Sequence, residues 1–127
     1  MSRDRISGTF EYDGLLDVLY VRCRPELEYD QTLDIGNVLV DLNNTPAIKR
    51  IEILDASKLF GASVFELKNI LKMDIDLVVS KDRIDVALKL EVLKRSRPVP
   101  MSYESYILND YGLSENTINV SAVPASA

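Results

Sequence analysis

The chain has 127 residues, of which 46% are hydrophobic and 28% are charged, and this composition is typical of one ordinary globular domain. It excludes a globally disordered protein. No apolar run approaches the roughly 18 residues of a membrane-spanning helix, and the start MSRDRISGTF lacks the apolar segment of a secretory signal. We therefore expect a cytoplasmic protein without a membrane partner. The net charge of −5 makes general nucleic-acid binding unfavourable.

The first half of the chain predicts strands that are joined by turns. Runs 7–13 and 48–54 alternate apolar and polar residues, which predicts half-buried strands. Run 17–23 is apolar on both faces and predicts a central strand, and run 38–42 is a further apolar strand that ends at turn residues. Asp13-Gly14 has the composition of a tight hairpin turn. The acidic stretch 26–34 predicts a solvated edge of the sheet.

Two helix starts follow these strands. Asp55-Ala56-Ser57 offers side-chain oxygens to the free amides of a first helical turn, and Gly61 predicts the end of that turn. Ser63 and Glu66 fit a capping box, and apolar residues at helical spacing predict a helix that continues through Lys72. This second segment is the main predicted helix.

The second half begins with the clearest periodic signal in the chain. Apolar residues occupy every second position from Ile84 to Val92, which predicts a long strand with one buried face. An apolar run at 75–79 precedes it, and the polar residues 80–83 predict the connecting hairpin turn.

The alternating apolar pattern ends before Arg97, and a proline-containing segment follows. Pro98 and Pro100 disfavour both helix and strand, and a short helix is predicted at 102–111. Tyr103, Ile107 and Tyr111 recur at every fourth position and would form an aromatic stripe on it. The stripe either packs on the protein's own sheet or recruits a partner. Residues 121–127 are small and predict a frayed end.

These elements predict an α+β fold. We expect an antiparallel β-meander of about five to six strands, with one main helix on one face and a short C-terminal helix or tail. The predicted organisation is one α+β domain at 1–97, comprising a first part at 6–72 and an extra β-hairpin at 74–94. A proline-containing extension follows at 98–127.

The residues from Phe10 to Phe60 resemble the domain of unknown function 2283 family. FEYDGLLDVLYVR, VLVDL and RIEILDAS carry the resemblance and occur in the family's order. It implies a compact β-meander with a helix after it, and it implies no catalytic residues. Members of the family accompany small toxin-like proteins, which implies a binding role. The resemblance does not reach beyond Lys72.

The sequence offers little catalytic chemistry. It contains no histidine, which removes Ser-His and Cys-His nucleophiles and histidine-based metal sites. Two arginines near Cys23 would favour its thiolate, but a free cysteine on a central strand more often fills core volume. Asp13 and Asp55 are explained as turn and helix-cap residues. We therefore predict no enzyme and assign no catalytic, cofactor-binding or metal-binding residue.

Three functions remain open at this point. The first is a non-enzymatic protein-interaction module that forms a homo-oligomer such as a dimer, acts like an antitoxin on a small basic protein partner, and uses Tyr103, Ile107 and Tyr111. The second is nucleic-acid contact through Lys94, Arg95 and Arg97, although these cations also fit a solvated strand end. The third is a carboxylate-dependent metal enzyme, which needs several acidic side chains to converge.

Overall fold

The computed structural model describes residues 2–125, and the side chains of residues 4–125. Nine strands and two short helices make up this part of the chain. Their bounds are β1 Ser2–Asp13, β2 Val18–Arg22, β3 Gln31–Asp34, β4 Val38–Leu42, β5 Ile48–Ile53, α1 Ala56–Phe60, α2 Val64–Leu67, β6 Ile70–Val79, β7 Arg83–Lys94, β8 Arg97–Leu108 and β9 Asn116–Pro124.

All nine strands belong to one sheet in the order β3-β4-β5-β2-β1-β9-β6-β7-β8. Neighbouring strands are antiparallel except for β1 and β9, the first and last strands, which pair in parallel from Ser2 opposite Asn116 to Phe10 opposite Pro124. The two ends of the described chain therefore meet at the middle of the sheet. Strands β3 and β8 form its two edges.

The sheet curls into a half-barrel whose concave face carries the core. Inward residues of eight strands form one buried apolar cluster with Ala56 and Phe60 of α1 and Leu67 of α2, and the inward residues of β8 are partly buried against it. The Tyr103 hydroxyl of β8 donates to the Gly36 carbonyl oxygen in the β3–β4 turn at 2.8 Å, so the curl brings the two edges together. Within residues 2–125, no helix is long and apolar enough to cross a membrane.

The predicted α+β fold with one main helix is wrong. Helix α2 begins at the predicted capping box, in which Ser63 and Glu66 bond reciprocally, but it has only four residues. Strand β6 begins at Ile70, and its buried residues alternate to pair with β7 and β9. As a strand, residues 70–79 hydrogen-bond to β7 and β9 and bury one apolar face in the core. This tertiary packing overrides the helical spacing of the apolar residues up to Lys72.

The predicted C-terminal helix is also wrong. Residues 97–108 form β8, in which Val99, Met101, Tyr103, Ser105 and Ile107 face inward. Residues four apart share a face both in a helix, which repeats every 3.6 residues, and in a strand, which repeats every two residues. Tyr103 and Ile107 therefore lie on one face in either structure. The prediction of frayed residues fails for 121–124, which belong to β9, while residues 126 and 127 lie outside the described part of the chain.

Most of the predictions for the first half are confirmed. Strand β4 has the predicted bounds, β2 and β5 lie close to theirs, and β3 is an edge strand within the acidic stretch. Strand β1 ends where predicted but begins five residues earlier, at Ser2. Gly61 ends α1 with a φ of 63°. The Asp13-Gly14 turn is longer than predicted, because Asp13 pairs with Val18 across a four-residue loop. The Asp13 carboxylate accepts hydrogen bonds from two backbone amides of that loop.

The turn between β7 and β8 is strained, which leads to a stability prediction. Lys94 and Arg97 lie opposite each other in the strand register. The two turn residues between them, Arg95 and Ser96, have φ values of 51° and 63°. Such a turn prefers Asn-Gly, because other residues are disfavoured at positive φ. Ser96→Gly should therefore raise the free energy of unfolding by about 1 kcal/mol, measured by urea denaturation. Ser102→Gly, in extended backbone, is the control and should lower it.

Candidate functional site

The predicted basic residues lie at the end of β7, in the β7–β8 turn and at the start of β8. The Lys94 ammonium is 3.0 Å from the Glu66 carboxylate of α2. Arg95 occupies the turn itself, and Arg97 begins β8; both are exposed. Ion pairing of Lys94 leaves two of the three cations without an ion pair within the described residues.

Two residues of the predicted aromatic stripe pack on the protein's own sheet. Tyr103 and Ile107 face the core from β8, and Tyr103 is held by its bond to Gly36. Tyr111 lies after the strand and is 46% exposed. The residues that β8 presents on the convex face are instead Pro100, Ser102, Glu104, Tyr106 and Leu108.

Cys23 is half-buried against the core, at the end of β2. Burial raises the pKa of its thiol to about 12. The thiol is therefore protonated near neutral pH and is a poor nucleophile, because the thiolate is the reactive form.

The main polar cluster joins the first hairpin to α1. One oxygen of the Asp17 carboxylate accepts from the Tyr12 hydroxyl at 2.6 Å and from the Ser57 amide at 3.0 Å, and the other accepts from the Ser57 hydroxyl at 2.6 Å. The Asp17 carbonyl oxygen accepts from the Ala56 amide. Asp17 therefore caps α1, whereas the predicted cap, Asp55, makes no side-chain capping bond.

The protonation states in this cluster are well defined. Burial raises the pKa of Tyr12, and the adjacent Asp17 carboxylate raises it further, so the phenol keeps its proton and donates it. Burial alone would raise the pKa of Asp17, but hydrogen bonds from Ser57 and Tyr12 outweigh this effect and hold the pKa below its ordinary value. All three side chains lie in the quoted motifs. No sequence pattern reveals the cluster, because Asp17 and Ser57 are 40 residues apart.

A second polar cluster lies across β3, β4 and β5. The buried Asp41 carboxylate accepts from the Thr32 hydroxyl at 2.6 Å and from the Arg50 guanidinium. The three residues are neighbours in the strand register, so the cluster is a cross-strand ladder. Within the described residues, no group of three or more cysteine, aspartate and glutamate side chains could hold a metal ion. The convergence that the carboxylate-enzyme hypothesis requires is thus missing from that part of the chain.

The outer edge of β8 carries unpaired backbone groups. The Asn109 amide donates to the Asp82 carbonyl oxygen on the β7 side. Hydrogen bonding alternates along an antiparallel strand, so the odd-numbered residues of β8 bond to β7 and the even-numbered ones point outward. The outward amides of Ser102, Glu104, Tyr106 and Leu108 have no backbone partner in the part of the chain that the structure describes.

A shallow pocket of about 390 Å³ lies beside this edge on the convex face. The Arg83 guanidinium stacks on the Tyr106 ring, 3.8 Å from its centroid, and donates to the Asp85 carboxylate at 2.6 Å. Glu104 lies on the same face, opposite Ala87. The edge thus combines free amides with an arginine, an aromatic ring and a carboxylate.

A group of exposed apolar side chains lies at the end of the sheet that carries the helices. Leu15 is 99% exposed, Leu16 64% and Phe65 75%, and they are the most exposed large hydrophobic residues of the described chain. We call these three residues the apolar tip. Isolated exposed hydrophobics are common, but a group at one end is typical of a contact surface.

Comparison with known proteins identifies a family and two relatives of this chain. The family described as "Protein of unknown function (DUF2283)" matches residues 9–57. An uncharacterised protein of Methanocaldococcus jannaschii is 34% identical over 115 residues, which cover 90% of this chain and 95% of that protein. A protein of Methanosarcina mazei named "Putative hypoxanthine phosphoribosyltransferase" is 26% identical over 92% of this chain and 94% of its own length. No solved structure matches. The chain belongs to the DUF2283 family of proteins of unknown function.

Proposed function

We propose that this protein is a non-enzymatic interaction module that forms a dimer by pairing the β8 edges of two copies. The observation that carries the proposal is the row of outward amides from Ser102 to Leu108. An unpaired strand edge is a template for a strand of another chain. The satisfied bonding of Asp17 and Asp41 and the protonated Cys23 thiol support a role without catalysis.

The positions of the prolines divide the edge into a closed half and an open half. Pro98 and Pro100 are even-numbered, so they occupy positions whose backbone nitrogen points away from β7. Because proline has no N–H, these two positions lack an outward donor, while every hydrogen bond between β7 and β8 can still form. Proline at an edge prevents pairing. The first part of β8 is therefore protected, while residues 102–108 are left open, and pairing is restricted to this segment.

The charges select one antiparallel register for a pair of identical edges. Centring the pair on Glu104 would oppose two like charges, which is unfavourable. Centring it on Ser105 opposes Glu104 to the partner copy's Tyr106 and Ser102 to the partner copy's Leu108. All four outward amides are then paired. The Glu104 carboxylate also approaches the partner copy's Arg83, because Arg83 stacks on Tyr106.

Proline substitution on the edge tests the dimer. We expect the wild-type protein to be a dimer at micromolar concentration in size-exclusion chromatography with light scattering. Glu104→Pro removes only an outward amide and should give a folded monomer, as judged by circular dichroism. Glu104→Thr keeps the amide and is the matched control, which should dimerise. A wild-type monomer, or a dimer that survives in a folded Glu104→Pro variant, would overturn the proposal.

Exchanging the two charges tests the register. Glu104→Arg places a cation opposite the partner copy's Arg83 and should weaken the dimer by about tenfold or more. Adding Arg83→Glu to the same chain restores opposite charges and should recover part of the affinity. Equal loss in the single and double variants would argue against the register centred on Ser105.

A further inference from the structure

The sheet contains a gap one strand wide beside the first half of β1. Strand β2 pairs with β1 only from Thr9 opposite Arg22 to the hairpin loop. Past Arg22, the amides of Cys23 and Arg24 donate to the Lys49 carbonyl oxygen of β5 at 3.2 and 3.0 Å, so the chain turns away from β1. Strands β1 and β5 flank β2. They are therefore two strand spacings, about 9.5 Å, apart at the point where β2 ends.

Backbone groups of β1 face this gap. The Phe10 carbonyl oxygen accepts from the Ala125 amide, so the even-numbered residues of β1 bond to β9 and the odd-numbered ones point to the β2 side. Arg5 and Ser7 are odd-numbered and lie beyond the last pair with β2. Their amides and carbonyl oxygens have no backbone partner in the part of the chain that the structure describes. These two residues offer two donors and two acceptors to an added strand.

Two adjoining cavities occupy the gap. One, of about 320 Å³, separates Ile6 of β1 from Ile48 of β5 and reaches Ile118 of β9, so its floor is apolar. The other, of about 370 Å³, continues along β1 between Ser7 and Pro25. We call this space the slot, and it is bounded by residues 4–9, 22–25 and 47–48.

Two arginines without an ion pair lie along the slot. Arg5, in the unpaired segment of β1, and Arg22, where β2 ends, are exposed and have no ion pair within the described residues. Asp4 also lines the slot, but it lies on the concave face, where its carboxylate accepts from the Asn116 side chain at 3.3 Å. Alternation along β1 therefore places the cation on the convex face and the carboxylate on the concave face.

Three further carboxylates lie near the slot but do not line it. Glu26 is 3.6 Å from Arg24. Glu11 and Glu52 flank Tyr20, on the side of Arg22 that is away from the slot. A carboxylate that enters the slot on the convex face therefore approaches the unpaired arginine of β1 more closely than it approaches these acids.

We propose that the slot binds an extended peptide segment of another protein, in which acidic and apolar residues alternate, as an additional strand. The segment runs antiparallel to β1, in line with β2, and bonds to the backbone of Arg5 and Ser7. Residues opposite each other in a ladder share a face, so an acidic residue lies opposite Arg5 and the next residue points inward. Its apolar side chain enters the cavity above Ile48 and Ile118. A helix, about 10–12 Å across, is too wide for a gap that one strand fills.

Titration with a synthetic peptide tests this proposal. The probe is an acetylated and amidated octapeptide of alternating valine and glutamate, and its binding to the full-length protein is measured by calorimetry and by amide NMR spectra. We expect a dissociation constant below about 1 mM and slower hydrogen exchange at the Arg5 and Ser7 amides. An octapeptide of alternating valine and lysine should bind at least about tenfold more weakly.

Variants of β1 separate the backbone from the charge. Ser7→Pro removes an amide that faces the slot and leaves the bonds of the even-numbered residues to β9, so the folded variant should bind about tenfold more weakly or worse. Ser7→Thr keeps the amide and is the matched control. Arg5→Glu should reverse the preference, so that the lysine peptide binds more tightly than the glutamate peptide. Binding should persist in Glu104→Pro, since the β8 edge takes no part in it.

Four results would overturn the proposal. Three are absence of binding of the glutamate peptide at millimolar concentration and low salt, equal binding by a folded Ser7→Pro variant, and an unchanged preference in Arg5→Glu. The fourth is a wild-type dimer that Ser7→Pro dissociates and Glu104→Pro leaves intact, which would assign the slot to a second copy of this chain.

Discussion

Deletion of residues 116–127 should leave the protein unable to fold. This change removes β9, which lies between β1 and β6 and buries Ile118, Val120 and Ala122. Two ladders are lost at once, and the core is opened along its middle. The loss should exceed about 5 kcal/mol, which is comparable to the whole stability of a small domain. Far-UV circular dichroism and urea denaturation of the purified variant measure it.

Two further variants separate loss of the strand from loss of chain length. Removal of residues 126–127 leaves every described strand intact and should leave the urea midpoint unchanged. Val120→Ala keeps the strand but empties part of the core, and it should lower the free energy of unfolding by about 2 kcal/mol. A cooperative, wild-type urea transition after deletion of residues 116–127 would show that β9 is dispensable.

The second large effect is expected at Asp17. Asp17→Ala removes the acceptor of three hydrogen bonds from Tyr12 and Ser57 and leaves α1 without its cap. We expect the free energy of unfolding to fall by about 2–4 kcal/mol, because bonds to charged groups and helix caps are each worth about 1–2 kcal/mol. Asp17 has a φ of 56°, so part of the loss comes from alanine in this conformation.

Asp17→Asn isolates the contribution of the charge, since asparagine keeps the size and tolerates positive φ. The pKa of Asp17 is lower in the folded protein than in the unfolded chain. Its charge therefore stabilises the fold fully above the unfolded pKa of about 3.9, and this stabilisation is lost as the pH falls through the folded pKa. The difference in unfolding free energy between wild type and Asp17→Asn should shrink below about pH 4. A constant difference from pH 7 to low pH would contradict this assignment.

Local patterns predicted most strands of the first half of the chain, together with β7 in the second half. Alternation identified β1, β5 and β7, apolar runs bounded by turn residues identified β2 and β4, and the capping box identified the start of α2. Strand β9 escaped prediction because its position depends on β1, more than 100 residues away. Small residues such as Ala122 fit the sheet interior only because two strands flank them.

The candidate surfaces were less accessible to sequence reasoning than the fold. Pro98 and Pro100 predicted the absence of a strand. An edge strand tolerates proline at every second residue, however, because the missing N–H groups all face away from the neighbouring strand. Tyr12, Asp17 and Ser57 each belong to a motif of the sequence. Their contact depends on the tertiary fold, which brings Ser57 to Asp17. Leu15 and Leu16 follow a typical turn dipeptide, and nothing local signals that they remain outside the core.

The parallel pairing of β1 with β9 also affects how the protein is made. The ribosome releases β1 before the other eight strands, yet β1 cannot pair with its second neighbour until residues 116–124 have emerged. An edge of up to twelve residues must wait unpaired through most of synthesis. Such distant contacts slow folding to the range of milliseconds to seconds. We therefore expect nascent chains that are stalled before residue 116 to be protease-sensitive and to aggregate.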